Sequence, residues 1–204
     1  MIDSSKPYPM IKGLKQLMSN RNYVILLITF NFVYGVYSAL PSMLTQLTDP
    51  FFALRDPGLG SRFALVFLVS GLVASFIIGV VLDKFQNYKS MTIMLSSCTF
   101  IFSLVLFYSI RQIDNPLILT INLGLFGASI IPMLTVAFPF AVELTRPIPE
   151  GFSNGILITM GLLWGALLAS VVILIPNDYA FGLFALCSFL AICIGFMINE
   201  DLRR

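Results

Sequence analysis

Six stretches of the chain contain no charged residue at all: residues 22–48, 63–82, 90–110, 115–142, 151–177 and 179–199. They run for 20 to 28 residues each and hold 144 of the 204 residues, so every charge lies in the remaining 60. A helix of about 20 apolar residues crosses the roughly 30 Å hydrocarbon layer of a bilayer. None of the six shows the polar stripe that a water-facing helix needs. The pattern predicts an all-α membrane protein with six spans, at about 23–47, 63–82, 91–110, 116–142, 152–175 and 179–198. Residues 1–21 form a lead and residues 200–204 a tail.

The spans differ in character. Span one is interrupted by Pro41 and carries Asn31, Tyr34, Ser38, Ser42 and Thr45 at spacings of three and four. Such residues share one helix face, with Tyr37 flanking it. Two readings stand for that face. It lines a solute pathway, or it binds a neighbouring helix through hydroxyl and amide hydrogen bonds. Asn31 falls near mid-membrane, where an unpaired amide is costly. Span two has Gly71, Ser75 and Gly79 at intervals of four, a face that admits a close neighbour. Span four holds Asn122, Gly124, Gly127, Pro132 and Pro139, and its two prolines predict kinks. Span five has Gly151–Gly155 and Gly161–Gly165–Ala169, again at intervals of four. Trp164 sits near its middle, packed or facing solute, and Ser153 and Asn154 are placed to cap its start. Spans three and six read as apolar all round. Polar and proline positions in one and four, and small-residue faces in two and five, suggest two inverted three-helix repeats, equal to one half of a major facilitator fold.

Charge adds orientation and excludes chemistry. Charged residues make up 11% of the chain, against about 25% in soluble domains, which rules out a soluble enzyme as the default expectation. A net charge of +2 gives no reason to expect nucleic acid as a partner. The lead, the 83–89 loop, the 143–150 loop and the tail carry nine Lys/Arg, and the opposite loops carry Arg55, Arg62 and Arg111. Positive loops stay inside, so both termini are expected in the cytoplasm, with the plasma membrane the favoured location. The chain has no histidine, and Cys98, Cys187 and Cys193 all fall inside apolar windows without metal-ligand spacing. No metal, cofactor or catalytic residue is expected. The spans also lack the buried Asp, Glu or His of proton-coupled carriers, which fits uncoupled transport of a neutral or soft cationic solute. Asp83, Glu143 and Arg146 lie at cytoplasmic helix ends, either as gating contacts or as solvated termini, and Glu143 and Arg146 are spaced to pair across one turn.

The second loop reads Gly79-Val-Val-Leu-Asp83-Lys84, followed by Lys89. It resembles the G-x-x-x-D-[RK] loop of major facilitator proteins. Three further stretches extend the likeness: LKQLMSNRNYVILLITFNFVYGVYSALPSMLTQ (14–46), AVELTRPIPEGFSNG (141–155) and the terminal DLRR. Together these resemble the C-terminal half of the feline leukaemia virus subgroup C receptor-related transporters. Members of that family move choline and ethanolamine, and haem export has been proposed for them. The resemblance implies a cage of aromatic and polar groups around a quaternary ammonium, a task suited to aromatic faces. Where the family has an aromatic pair in span one, this chain has Tyr37 and Ser38. Where the family has a glutamine in span five, Leu163 stands instead. The resemblance implies transport of a small organic solute, choline-like or haem-related. It would proceed by alternating access against a second six-helix unit, which is an N-terminal half, a partner chain or a second copy. The rival expectation is a transport-inactive half that acts as a membrane interaction or regulatory protein. Besides the lipid bilayer and the solute, the expected site residues are Asn31, Tyr34, Tyr37, Ser38 and Trp164. Gly79, Asp83, Lys84, Glu143 and Arg146 are expected at the cytoplasmic face.

Overall fold

A computed structural model describes residues 10–52, 58–112 and 116–198. The expectations placed on Lys6, Arg55, Arg203, Arg204 and the DLRR tail lie outside the described residues. Within them every regular element is a helix. In chain order these are α1 (Met10–Ser19), α2 (Arg21–Phe52), α3 (Leu59–Phe85), α4 (Tyr88–Gln112), α5 (Pro116–Ile130), α6 (Met133–Thr145), α7 (Glu150–Leu174) and α8 (Asn177–Gly195). Five segments are long and apolar enough to cross a membrane: Arg21–Pro41, Leu59–Phe85, Tyr88–Ile110, Pro116–Thr145 and Glu150–Leu174. The apolar stretch Tyr179–Gly195 is shorter. Its helix α8, at 19 residues, rises about 28 Å, close to the hydrocarbon thickness.

Two expectations about the helices need correction. Pro41 does not interrupt span one, because α2 runs through it. Its ring only removes the amide that would bond the Tyr37 carbonyl. The two prolines of span four sit differently, Pro132 between α5 and α6 and Pro139 inside α6, and neither position contradicts the expected kinks. Span three is not apolar all round. Thr92, Ser96, Thr99 and Ser103 of α4 are fully buried and form a hydroxyl stripe. Each hydroxyl is satisfied: Thr92, Ser96 and Thr99 donate to carbonyls one turn back, and Ser103 donates to the Phe181 carbonyl of α8 at 2.9 Å. Such internal bonding lets short polar side chains pass for apolar ones inside a bundle.

The helices pair in a regular way. α4 lies along α8; α2 packs on α7 and α8; α5 packs on α3 and α4. Glycines bring two of these pairs close. On α5, Gly127 sits against the backbone carbonyl of Phe67, while the Ser70 hydroxyl of α3 donates to the Gly124 carbonyl at 2.7 Å. On α7, Gly161 and Gly165 receive Tyr34 and Ser38 of α2. Gly71 of α3 makes room for the Ile131 side chain. By contrast, side chains added at Gly151 and Gly155 meet open space, so the first small pair in span five supports no close approach. Gly79 faces Thr135 at ordinary van der Waals distance, 3.6 Å from an added methyl group. Asn122 ties α5 to α4 by donating to the Ser109 hydroxyl at 3.2 Å.

Candidate functional site

The predicted stripe of α2 divides in two. Ser38 lies over Gly165 and its hydroxyl donates to the Gly35 carbonyl at 3.1 Å, so it serves the α2–α7 contact. Tyr34 and Tyr37 remain half-buried. The Tyr34 ring stacks on Phe30 at 4.9 Å between centroids and meets the Tyr37 ring at 5.3 Å. Phe30 in turn touches Phe138 of α6 at 6.3 Å. A ladder of aromatic faces therefore runs along one side of α2, seated on Gly161. The side chains of Ser42 and Thr45 lie outside the described residues.

Asn31 is half-buried, and its Oδ1 has no hydrogen-bond partner among the described residues. Trp164 packs edge-on against Phe32 at 5.2 Å and covers Gly35, and its indole nitrogen likewise lacks a partner there. An orphaned amide and an orphaned indole N–H in one helix pair are unusual, since buried polar atoms normally find partners. Leu163 is 57% exposed and lies on the face of α7 opposite Gly161 and Gly165, away from the stripe.

The end of the bundle that holds Glu143 is polar and hollow. Glu143 and Arg146 form the expected i,i+3 pair at 3.1 Å, with Arg146 64% and Glu143 24% exposed. A pair this open contributes little, so Glu143→Gln is expected to change thermal stability in detergent by less than about 1 kcal/mol. A shift well beyond that marks the pair as structural. Beside it a cavity of about 370 Å³ is lined by Phe138, Pro139, Val142, Glu143, Glu150 and Asn154, with Arg146 at its rim. A second, of about 490 Å³, separates the start of α2 from the end of α6 and is bordered by Asn20, Arg21, Glu143 and Arg146. Both are open to the outside rather than enclosed.

Ser153 and Asn154 do not cap α7, because the helix begins earlier, at Glu150 after Pro149. The Ser153 hydroxyl bonds back to the Glu150 carbonyl. Asn154 instead lines the smaller cavity, its Oδ1 without a partner among the described residues. Phe138 lines this cavity and lies 6.3 Å from the ring of Phe30, which is itself fully buried. Phe138, Glu150 and Asn154 line the smaller cavity and Phe30 stacks on Tyr34, positions that pattern reading did not single out as candidates for the site. The four-then-three spacing of Phe30, Tyr34 and Tyr37 was the available signal for Phe30.

Asp83 and Lys84 end α3 in solvent. Lys84 lies 5.6 Å from the Phe85 ring and complements the helix terminus, where cations are favoured. Asp83 makes no hydrogen bond or ion pair with another described residue. Among the described residues no group of three or more His, Cys, Asp and Glu is placed to hold a metal.

No protein-family model matches the chain. It is similar to an uncharacterized MFS-type transporter of Caenorhabditis elegans, 29% identical over 94% of this chain and 33% of that protein. It is similar to the choline/ethanolamine transporter FLVCR1 of Felis catus, 28% identical over 97% of this chain and 36% of that protein. It is also similar to the choline/ethanolamine transporter FLVCR2 of Rattus norvegicus, 29% identical over 95% of this chain and 36% of that protein. The chain spans about a third of the length of these relatives. Over nearly its whole length it therefore resembles part of an MFS-type transporter, and it is an integral, multi-pass membrane protein.

Proposed function

We propose that this chain is the C-terminal six-helix half of a major facilitator carrier. It moves a small cationic solute of the choline class by alternating access against a second six-helix unit. The observation that carries the reading is the pair of half-buried rings Tyr34 and Tyr37, 5.3 Å apart on α2, in the same bundle as the cavity lined by Glu143, Glu150, Asn154 and Phe138. Carboxylates at the mouth attract a cation, and aromatic faces hold it where no fixed counter-charge is available. Relatives named as choline/ethanolamine transporters support the same solute class.

The helix pairing supports the inverted repeat. With α2, α3 and α4 set against the α5–α6 pair, α7 and α8, the α2–α7 contact corresponds to α3–α5. The α2–α8 contact corresponds to α4–α5, and α4–α8 lies on the pseudo-axis. The two helices with the smallest buried share, α3 and α7, are second in each repeat and offer the faces for the other half. The lead, the Asp83–Lys84 loop and the Glu143–Arg146 pair lie on the cytoplasmic side, as the nine-to-three cation asymmetry requires. There Asp83, which has no partner among the described residues, gates against the second unit.

The test is uptake of radiolabelled choline into vesicles holding the full assembled protein. Saturable uptake is expected. Correctly inserted protein that shows none overturns the reading.

A further inference from the structure

The helix α1 has two faces that the transport reading leaves unused. Gly13 and Leu17 are buried against the bundle. Met10, Ile11, Leu14 and Met18 are exposed by 74%, 86%, 44% and 41%. At about 100° per residue these four occupy a single arc of the helix, and Lys15, Ser19 and Lys12 fill the next. A docked helix with one face on protein still presents an apolar arc beside a cationic one.

What covers that arc follows from where α1 is held. Asn20 alone separates it from α2. The Asn20 side-chain amide donates to the Leu144 carbonyl at 2.7 Å, and its Oδ1 accepts from the backbone N–H groups of Asn22 and Tyr23. The junction is therefore fixed to the end of α6, one residue before Arg21–Pro41, a segment long and apolar enough to cross a membrane. α1 contains two lysines and no acid, and Arg21 follows.

We propose that α1 is an interfacial helix that seats its Met10–Ile11–Leu14–Met18 arc in the headgroup–acyl boundary of an anionic phospholipid leaflet, with Lys12 and Lys15 on the phosphates. Helices of this kind bind through apolar area plus attraction to anionic lipid. The helix thereby anchors the end of the bundle that carries both polar cavities. This rests on α2 crossing the membrane, not on any solute.

The experiment uses the full chain in vesicles of phosphatidylcholine mixed with phosphatidylserine. Single cysteines at positions 10, 11, 14, 16, 18 and 19 carry spin labels on a background of Cys98→Ala, Cys187→Ala and Cys193→Ala. Oxygen is expected to reach labels at 10, 11, 14 and 18, and a water-soluble nickel complex those at 16 and 19. Water access at 10, 11, 14 and 18 overturns the proposal. So does shielding from both probes, which means a protein surface covers the arc. Lys12→Glu with Lys15→Glu is expected to lower the lipid-immersed fraction at position 11 roughly tenfold in the mixed vesicles, and to leave it unchanged in pure phosphatidylcholine. An equal response in both lipids removes the anionic preference. If the cysteine-free background fails to insert, Ile11→Trp read by brominated-lipid quenching makes the same distinction.

Discussion

Tyr34→Ala and Tyr37→Ala are each expected to weaken binding of the proposed quaternary ammonium solute by roughly 2- to 30-fold, the span that about 0.5–2 kcal/mol of cation–π attraction gives. The upper part of that range applies to Tyr34, because stacking on Phe30 fixes the plane of its ring. A pre-positioned ring costs no ordering when the cation arrives. Truncating Tyr34 also empties the seat over Gly161, so loss of packing must be separated from loss of attraction. Tyr34→Phe provides the separation. It keeps the ring face and the fit, and is expected to retain most of the affinity. The measurement is choline competition in vesicles of the assembled protein, with insertion checked for each variant. If both alanine variants bind as the parent does, the aromatic side of α2 is not the site. If Tyr34→Phe loses as much as Tyr34→Ala, the phenol hydroxyl is what recognises the solute.

This site was only half legible in the sequence. The spans were legible because charge exclusion needs no knowledge of the fold, and the windows agree with α2, α3, α4, α7 and α8 to within several residues. Helical spacing also placed Tyr34 and Ser38 on one face correctly. Spacing says which residues share a face, and not what the face meets. Ser38 met Gly165 and became an interface residue, whereas Tyr37 stayed half-open. Phe138 and Asn154 belong to other helices, so their convergence with α2 is a tertiary fact. The hydroxyl stripe of α4 was hidden for another reason. Ser and Thr count little in a hydropathy pattern, yet four of them are wholly buried because each finds a carbonyl. The α1 helix was not legible in the lead, because a ten-residue amphipathic segment is too short to stand out as an apolar run.

Small-residue periodicity shows the same limit most sharply, and Gly127→Ala is the change expected to disturb the fold most. Span five contributed two glycine runs of equal appearance, and span four a third. A methyl group at Gly151 or Gly155 meets nothing, whereas at Gly127 it runs into the Phe67 carbonyl oxygen, with the carbonyl carbon 2.9 Å away. That obstacle is backbone in the middle of α3 and has no rotamer to escape into. Accommodating it means moving α3 off α5, which also strains the Ser70 bond to the Gly124 carbonyl. Overpacking costs about 1–3 kcal/mol and more where the neighbour is rigid. Gly127→Ala is therefore expected to lower the thermal transition of the detergent-solubilised protein markedly, or to abolish a monodisperse species. Gly155→Ala is expected to leave it unchanged or raise it, by up to about 1 kcal/mol from helix propensity. Gly71→Ala tests the cause, because its obstacle is the Ile131 side chain rather than backbone. Ile131→Ala should rescue Gly71→Ala in part in a double-mutant cycle, since it removes the outer atoms but keeps the Ile131 Cβ 2.7 Å from the added methyl group, and no truncation of the Phe67 side chain should rescue Gly127→Ala. A Gly127→Ala protein as stable as the parent would show that α3 and α5 are not held at this distance. The pairing that underlies the proposed two-repeat bundle would then lose one of its two glycine contacts.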